Sequence, residues 1–183
     1  MKHPIEILEH YWGFSEFKPR QEAIIEAVLT NDDCIALLPT GGGKSVCFQI
    51  PALLKKGICI VVSPLIALMQ DQVNTLKEKG IKAMALTSGL SYEDVDRMLD
   101  NCIFGNYKFL YLSPERLQQD LVQKRVKEMD VNLIAVDEAH CISQWGHDFR
   151  PEYRDIKTIR TLHPNVNIIG LTASATAKVV EDI

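Results

Sequence analysis

The sequence predicts a single α/β domain with a mostly parallel sheet and helices on both of its faces. Six short apolar runs alternate with amphipathic stretches along the 183 residues. Most of these runs are apolar nearly throughout, which is typical of strands that helices cover on both sides. The length, with 46% hydrophobic and 24% charged residues, fits one compact domain with a full hydrophobic core.

The predicted strands and helices alternate along the chain. The apolar runs place strands at 34–38, 58–62, 82–86, 108–112, 131–136 and 166–171. The amphipathic stretches place helices at 4–11, 20–29, 44–55, 64–79, 91–102, 114–128 and 152–162, with one more starting near Thr176. The helix at 64–79 ends on Lys77-Glu78-Lys79 and Gly80, because basic side chains followed by glycine favour a helix carboxyl terminus.

Composition, charge and cysteine use narrow the class of protein. No apolar run approaches the roughly twenty residues of a membrane span, and the amino end has no signal-peptide pattern. The five cysteines form no Cys-x-x-Cys pair and lie mostly in apolar runs, so we expect reduced core residues and no zinc site. These features favour a cytoplasmic protein, associated with the nucleoid if it is bacterial. Because the net charge is −4, any nucleic-acid contact must be a local patch.

A glycine loop, Thr40-Gly41-Gly42-Gly43-Lys44-Ser45, follows the first predicted strand. A strand, a tight glycine turn and a helix start let consecutive backbone N–H groups surround phosphate oxygens. Lys44 would reach the terminal phosphates, and the Ser45 hydroxyl would be a magnesium ligand. The strict motif has glycine at position 38, where this chain has Leu38, but the Gly-Lys-Ser core is present. We therefore prefer a polyphosphate site to a glycine-rich turn with an incidental lysine.

An acidic pair, Asp137 and Glu138, follows the predicted strand at 131–136. Ligands of open α/β sheets bind at the carboxyl ends of such strands. Asp137 would hold magnesium, directly or through water. Glu138 would orient and deprotonate the attacking water, a role worth about 10²–10⁴ in rate. Alone, the pair could equally be a solvated acidic loop, but beside the glycine loop it predicts hydrolysis of a nucleoside triphosphate.

With both halves of a nucleotide site in place, the chain closely resembles the first RecA-like lobe of RecQ-family DNA helicases, from about residue 5 to the end. The matching segments are 13–21, the glycine loop, 62–72, 112–116, Asp137-Glu138-Ala139-His140, Gln144-Trp145-Gly146-His147-Asp148-Phe149-Arg150-Pro151 and 171–176. The acidic segment alone also fits RNA helicases of the DEAH type, whereas the tryptophan-bearing segment is specific to RecQ. The resemblance implies a RecA-like P-loop NTPase fold with ATP and Mg²⁺ as cofactors.

The resemblance also implies where the base of ATP would bind. Gln21 would pair with the amino edge of adenine, because an amide offers one donor end and one acceptor end. Phe14 and Lys18 would hold the two faces of the base. The family usually has arginine where Lys18 stands, and lysine stacks less well than a planar guanidinium. For Phe17 we expect core packing.

Two serine–proline pairs, Ser63-Pro64 and Ser113-Pro114, each follow a predicted strand and open a predicted helix. Helix capping alone would explain both pairs. The resemblance adds a contact with DNA, since free N–H groups at such ends can hold a nucleic-acid backbone.

The segment 141–154, which we call the aromatic segment, interleaves ring and basic side chains. It contains Trp145, His147, Phe149, Arg150, Tyr153 and Arg154. Aromatic rings stack on bases and arginines meet phosphates. Composition alone slightly favours an aromatic lid packed on the domain. The resemblance instead implies a loop that couples DNA binding to hydrolysis through Trp145, His147, Phe149 and Arg150.

Thr172-Ala173-Ser174 ends the last predicted strand. Its hydroxyl groups, with Ser174 as the candidate residue, would bond the acidic segment and report the nucleotide state, and His140 would join this network. Simple helix capping by Ser174 or Thr176 is an alternative of equal weight before the resemblance is counted.

The function that the resemblance implies is the ATP-binding motor lobe of a 3′-to-5′ DNA helicase used in repair and recombination. The 183 residues are expected to hold one such lobe, without the second RecA-like lobe or the zinc-binding and winged-helix segments. The missing lobe would be a partner that supplies an arginine finger, worth about 10³–10⁵ in rate, so we expect the chain alone to be nearly inactive. The alternatives are an RNA helicase lobe, a nucleotide-dependent nucleic-acid-binding module and, least fitting, a small-molecule kinase.

Overall fold

The computed structural model of the chain describes residues 3–39, 43–146 and 148–183. Within these residues six strands form one sheet: β1 Cys34–Leu37, β2 Ile58–Val62, β3 Ala83–Leu86, β4 Phe109–Leu112, β5 Val131–Val136 and β6 Ile168–Thr172. The strands lie in the order β1-β6-β5-β2-β4-β3, and every pairing is parallel. The predicted α/β class is therefore confirmed.

The helices of the described residues cover both faces of this sheet. They are α1 Pro4–Trp12, α2 Gln21–Leu29, α3 Val46–Leu54, α4 Ile66–Glu78, α5 Tyr92–Phe104, α6 Pro114–Leu117, α7 Asp120–Glu128, α8 Lys157–Leu162 and α9 Ala177–Asp182. Two 3-10 turns, Ala139–Ile142 and Pro151–Ile156, follow β5. No helix in the described ranges has the length and apolar character that crossing a bilayer requires.

Two predicted helices differ from the structure. The helix predicted at 114–128 is divided into α6 and α7, because Gln119 has an extended backbone (φ −72°, ψ 133°) that ends one helix and starts the next. The helix predicted at 152–162 begins as the second 3-10 turn and becomes α-helical only at Lys157. Both differences lie in the first turns of the predicted helices.

The core lies on both sides of the sheet, which explains the continuous apolar runs. Along β2, Ile60 and Val62 pack with α5, α6 and α7, whereas Cys59 and Val61 pack with α2, α3 and α4. Alternation along a strand sends successive side chains to opposite faces, so a strand covered on both sides is apolar at every position.

Because all strands run the same way, their carboxyl ends meet at one edge of the sheet. The glycine loop follows β1, Ser63 follows β2, Ser113 follows β4, the acidic pair follows β5, and Ala173 follows β6. Five sequence-predicted segments are therefore neighbours at this edge, although up to about 130 residues separate them in the chain.

Candidate functional site

A cleft of about 550 Å³ opens at the carboxyl edge of the sheet. Among the residues that line it are Lys44 and Ser45 of the glycine loop and Asp137 and Glu138 of the acidic pair. Phe48, Leu68, Gln72, His140, Asp148, Leu171, Ala173 and Ser174 complete most of its wall. The cation, the hydroxyl and the two carboxylates predicted for one nucleotide site thus share one cleft.

Gly43, the described glycine of the glycine loop, has a backbone that requires glycine. Its φ is +74°, in the left-handed region that side chains rarely adopt, and a Cβ there would clash with Nε2 of Gln21. The predicted phosphate-binding residues Thr40, Gly41 and Gly42 lie outside the described residues.

Gln21 links the glycine loop to the segment before α2. Its side chain is 3% exposed, its Nε2 donates to the Gly43 carbonyl (3.0 Å), and its Oε1 accepts from the Lys18 N–H (2.8 Å). Phe14 is 59% exposed and Lys18 is exposed beside Gly43. Lys18 and Gln21 therefore border the loop, and Phe14 is exposed on the segment before them. The contact of these three residues with a base stays a prediction.

The acidic pair has a constrained backbone. The Asp137 N–H donates to the Val62 carbonyl (2.8 Å), which ties the end of β5 to β2. Glu138 has φ 52° and ψ 45°, a left-handed conformation that costs non-glycine residues of order 1–3 kcal/mol. Its own N–H donates to Asp137 Oδ1 (3.0 Å). Such strain persists where surrounding structure enforces it, which is typical of functional sites.

Burial and neighbouring charges act on the ionisation of Asp137. Burial, and then the charge of Glu138, raise the pKa of Asp137, while Lys44 and His140 act in the opposite direction. A cation in addition to Lys44 would further offset the negative charge of the buried Asp137 carboxylate.

Ser45 and Asp137 fit a magnesium ion that is also held by water and phosphate. Mg²⁺ usually takes only one or two protein oxygens and keeps its other positions for water and substrate phosphates. In the described parts of the chain, no group of three or more His, Cys, Asp or Glu side chains could hold a metal ion.

A chain of side-chain contacts connects β6 to Glu138. His140 Nδ1 lies 2.8 Å from Thr172 Oγ1, and His140 Nε2 lies 3.5 Å from both Glu138 Oε2 and Asp148 Oδ2. The Thr172 hydroxyl donates to the Ser174 carbonyl (3.1 Å), so it accepts from His140. The side chain in this network is thus that of Thr172, whereas Ser174 contributes its main chain and lines the cleft.

The two serines of the adjacent strands differ. Ser113 Oγ accepts from the Arg116 N–H (3.2 Å) and caps α6, as predicted. Ser63 does not cap α4, which begins at Ile66, so this part of the prediction is wrong. Its side chain is buried and accepts from the Leu65 N–H (3.3 Å), because the chain makes a further turn after β2.

The aromatic segment places its rings in two environments. Trp145 is 60% exposed beneath Lys178 of α9, whose Nζ lies 4.1 Å from the ring centroid. Phe149 is 38% exposed and Arg150 is exposed. Tyr153 is buried, and its hydroxyl donates to the Asp137 carbonyl (3.0 Å), so it supports the acidic pair from below. The predicted coupling residue His147 is outside the described residues.

The family described as DEAD/DEAH box helicase matches residues 18–183. This chain belongs to the DEAD/DEAH box helicase family. Membership implies nucleotide binding, which agrees with the composition of the cleft.

Curated relatives confirm the predicted resemblance to RecQ helicases. The chain is 45% identical to the probable ATP-dependent DNA helicase RecS of Bacillus subtilis over 97% of its own length and 36% of that protein. It is 46% identical to the ATP-dependent DNA helicase RecQ of the same organism, over 97% of the chain and 30% of the relative. This DEAD/DEAH-box chain therefore spans about a third of the relatives it matches.

Solved structures show the same RecA-like helicase fold. A hypothetical ATP-dependent RNA helicase from Sulfolobus tokodaii superposes with a TM-score of 0.72 at 21% identity, over 100% of this chain and 54% of that one. The helicase domain of Pyrococcus furiosus Hef superposes with a TM-score of 0.69 at 24% identity, over 100% of this chain and 37% of that one. At these identities the likeness concerns the fold alone.

The predicted network between the 172–174 hydroxyl groups and the acidic segment is present as the bond between Thr172 and His140. Sequence reasoning missed the roles of two other side chains. Tyr153 and Gln72 had weak signals: Tyr153 is grouped in the sequence with surface rings, and Gln72 lies two turns into α4.

Proposed function

We propose that this chain binds ATP with Mg²⁺ and serves as the first motor lobe of a RecQ-type DNA helicase. The observation that carries the proposal is the single cleft lined by Lys44, Ser45, Asp137 and Glu138. The 45–46% identity to RecS and RecQ supports DNA over RNA as the nucleic acid. Because the chain covers about a third of those relatives, the activity of a whole protein is part of the proposal.

Each cleft residue has a role that follows from its chemistry. Lys44 would neutralise the terminal phosphates, and backbone N–H groups of Thr40, Gly41, Gly42 and Gly43 would surround them. Ser45 and Asp137 would hold Mg²⁺, which spreads the negative charge that develops on the phosphates. Lys18 and Gln21 lie beside Gly43 of the loop, and the base would bind between Lys18 and the exposed Phe14.

Glu138 is the candidate general base. Its left-handed backbone fixes where the side chain leaves the strand end, and His140 lies 3.5 Å from its Oε2. In this position the carboxylate would accept a proton from water as the water attacks the terminal phosphate. Thr172 holds the His140 ring through Nδ1, so the end of β6 helps to orient the base.

The aromatic segment and the neighbouring serine-containing strand ends form the candidate DNA surface. Trp145 and Phe149 expose rings on which bases would stack, and Arg150 would meet a phosphate. Ser113 would contribute at the end of β4, whereas the buried Ser63 could act only through its main chain. A second RecA-like lobe would close over ATP, supply an arginine finger and complete 3′-to-5′ unwinding in repair and recombination.

The proposal is tested by the affinity of the chain for a fluorescent ATP analogue with Mg²⁺. Lys44→Ala removes a charged phosphate contact and is expected to weaken binding about tenfold or more. Lys124→Ala, which removes an exposed lysine of α7, is the matched control and should bind like the wild type. Equal affinity of the Lys44→Ala and wild-type chains would refute the nucleotide site.

The choice of nucleic acid is tested in the native polypeptide that carries this lobe. Single-stranded DNA is expected to stimulate ATP hydrolysis more strongly than RNA of the same sequence. Stimulation by RNA alone would instead support an RNA helicase, and binding without hydrolysis would support a nucleotide-dependent binding module.

A further inference from the structure

A buried chain of three polar side chains runs from α3 to the cleft. Gln49 of α3 donates from Nε2 to the Tyr111 hydroxyl of β4 (3.1 Å), and that hydroxyl donates to Oε1 of Gln72 on α4 (2.8 Å). Tyr111 is 1% exposed and Gln49 is 5% exposed. Gln72 is only partly buried and lines the cleft together with Lys44, Ser45 and Glu138. Its position links a buried network to the candidate nucleotide site.

The direction of these bonds determines which atom of Gln72 is presented to the cleft. A phenol carries one hydrogen, so a Tyr111 hydroxyl that accepts from Gln49 has its hydrogen available for Gln72 Oε1. Burial raises the pKa of Tyr111 far above its usual range, which keeps that hydrogen in place at neutral pH. The amide of Gln72 is therefore held by its oxygen, and its Nε2 is turned away from Tyr111.

The Nε2 atom of Gln72 is accessible. Within the described residues, the buried side-chain nitrogen and oxygen atoms that lack a partner comprise only Asn132 Oδ1. The single hydrogen bond of the Gln72 side chain in that part of the chain is the one from Tyr111. Both N–H groups of the amide can therefore donate to a group that enters the cleft.

We propose that Gln72 donates a hydrogen bond to the terminal phosphate of a bound nucleoside triphosphate, with Tyr111 and Gln49 as its positioning residues. This inference rests on the proposed nucleotide site. An amide N–H suits an anionic oxygen, and bonds to charged groups are the stronger ones. The hydroxyl that grips the amide oxygen prevents the flip that would turn an acceptor toward the phosphate.

The structural alternative is that the chain of bonds only packs α3 against α4. Gln72→Glu separates the two roles, because a carboxylate still accepts from Tyr111 but offers the phosphate a negative oxygen. Gln72→Leu removes the donor without adding charge. Gln70→Glu adds the same charge at an exposed position of α4, outside the cleft lining, and is the matched control.

The test compares affinities for fluorescent ATP and ADP analogues with Mg²⁺, alongside thermal unfolding of each variant of the full chain. Both Gln72 variants are expected to weaken triphosphate binding about tenfold or more and to change diphosphate binding less than about twofold. Tyr111→Phe is expected to act in the same direction by roughly threefold, since the amide keeps its donors but loses its orientation. Gln70→Glu should leave both affinities unchanged.

Two results would overturn the assignment of Gln72. One is wild-type affinity of both Gln72 variants for both nucleotides; the other is an equal loss for both nucleotides with a lowered Tm, which would show a packing role. Lys44→Ala, measured in parallel, keeps this outcome distinct from failure of the nucleotide site. If Lys44→Ala weakens triphosphate binding and Gln72→Glu does not, only the role of Gln72 is refuted.

Discussion

The cleft and the aromatic segment lie side by side but are built differently. In the cleft, Asp137 and Glu138 follow a buried central strand, and their main chain is fixed by bonds from Tyr153 and to Val62. In the aromatic segment, Trp145 is exposed on irregular backbone and has a lysine over its ring. The difference teaches that the sheet preorganises the candidate hydrolytic site, whereas the candidate nucleic-acid surface is exposed.

Two contacts join these regions. The Tyr153 hydroxyl reaches the Asp137 carbonyl, and Asp148 of the aromatic segment lies 3.5 Å from His140, which faces Glu138 at the same distance. A displacement of the aromatic segment by DNA would therefore move the side chains that contact the Asp137 main chain and Glu138. This is a physical basis for the coupling that the RecQ resemblance implies.

The largest expected effect separates chemistry from binding inside the cleft. Glu138→Gln keeps the size and backbone of the residue but removes its ability to accept a proton. ATP hydrolysis is expected to fall by about 10²–10⁴-fold, with affinity for ATP nearly unchanged. Steady-state hydrolysis by the native polypeptide that carries this lobe, and equilibrium binding of ATP to the same variant, provide the measurement. Hydrolysis at the wild-type rate would remove Glu138 from the role of general base.

A change in the aromatic segment should weaken DNA binding and leave ATP binding unchanged. Trp145→Ala removes a stacking ring worth about 1–3 kcal/mol per base, so affinity for single-stranded DNA is expected to fall roughly 5- to 150-fold. ATP binding without DNA should not change, because the Trp145 ring is outside the cleft lining.

Fluorescence anisotropy with a labelled oligonucleotide measures this effect. Phe104→Ala removes another exposed ring, at the end of α5 and away from the segment, and is the matched control. Unchanged DNA affinity and unchanged DNA-stimulated hydrolysis in the Trp145→Ala protein would contradict the assignment of this surface.

A smaller effect is expected where β6 meets the acidic pair. Thr172→Val preserves shape but removes the hydroxyl that holds His140. ATP hydrolysis by the native polypeptide that carries this lobe is therefore expected to fall roughly 3- to 10-fold. Thr172→Ser keeps the hydroxyl and should retain most of the rate. If the valine and serine variants hydrolyse ATP equally fast, the link from β6 to Glu138 has no role in the reaction.

Local sequence pattern predicts most of the fold, together with the glycine loop and the acidic pair of the cleft. The glycine loop and the acidic pair each lie directly after an apolar run, and parallel strands bring such ends together. The bond between Thr172 and His140 joins residues 32 positions apart. The prediction included a network between these two segments, but no local pattern identifies the bonded pair. Gln72 is similar, because its partner Tyr111 lies on another strand.

The aromatic segment shows a different limit of sequence reasoning. Trp145 and Tyr153 belong to the same run of interleaved rings and charges, yet one is 60% exposed and the other is buried. The 3-10 turn that starts at Pro151 points Tyr153 into the core beneath Asp137. Composition predicts that rings are present but does not set the direction in which each ring points.

The smallest expected effect is on the free energy of unfolding. It tests whether the buried charge of Asp137 destabilises the folded chain. Burial raises the pKa of Asp137, so the folded chain binds a proton on this carboxyl more tightly than the unfolded chain does. The stabilisation is therefore present at low pH and is lost as the pH rises through the folded-state pKa. Asp137→Asn, which can still accept from the Glu138 N–H, should increase the free energy of unfolding at pH 7 and make less difference near pH 4.

Urea unfolding without Mg²⁺ measures this change, with the exposed Asp155→Asn as control. An Asp137→Asn chain that is less stable than the wild type at pH 7 would contradict the prediction, whereas a more stable chain that has lost Mg²⁺-dependent ATP binding would show that this carboxylate is retained for function at a cost in stability.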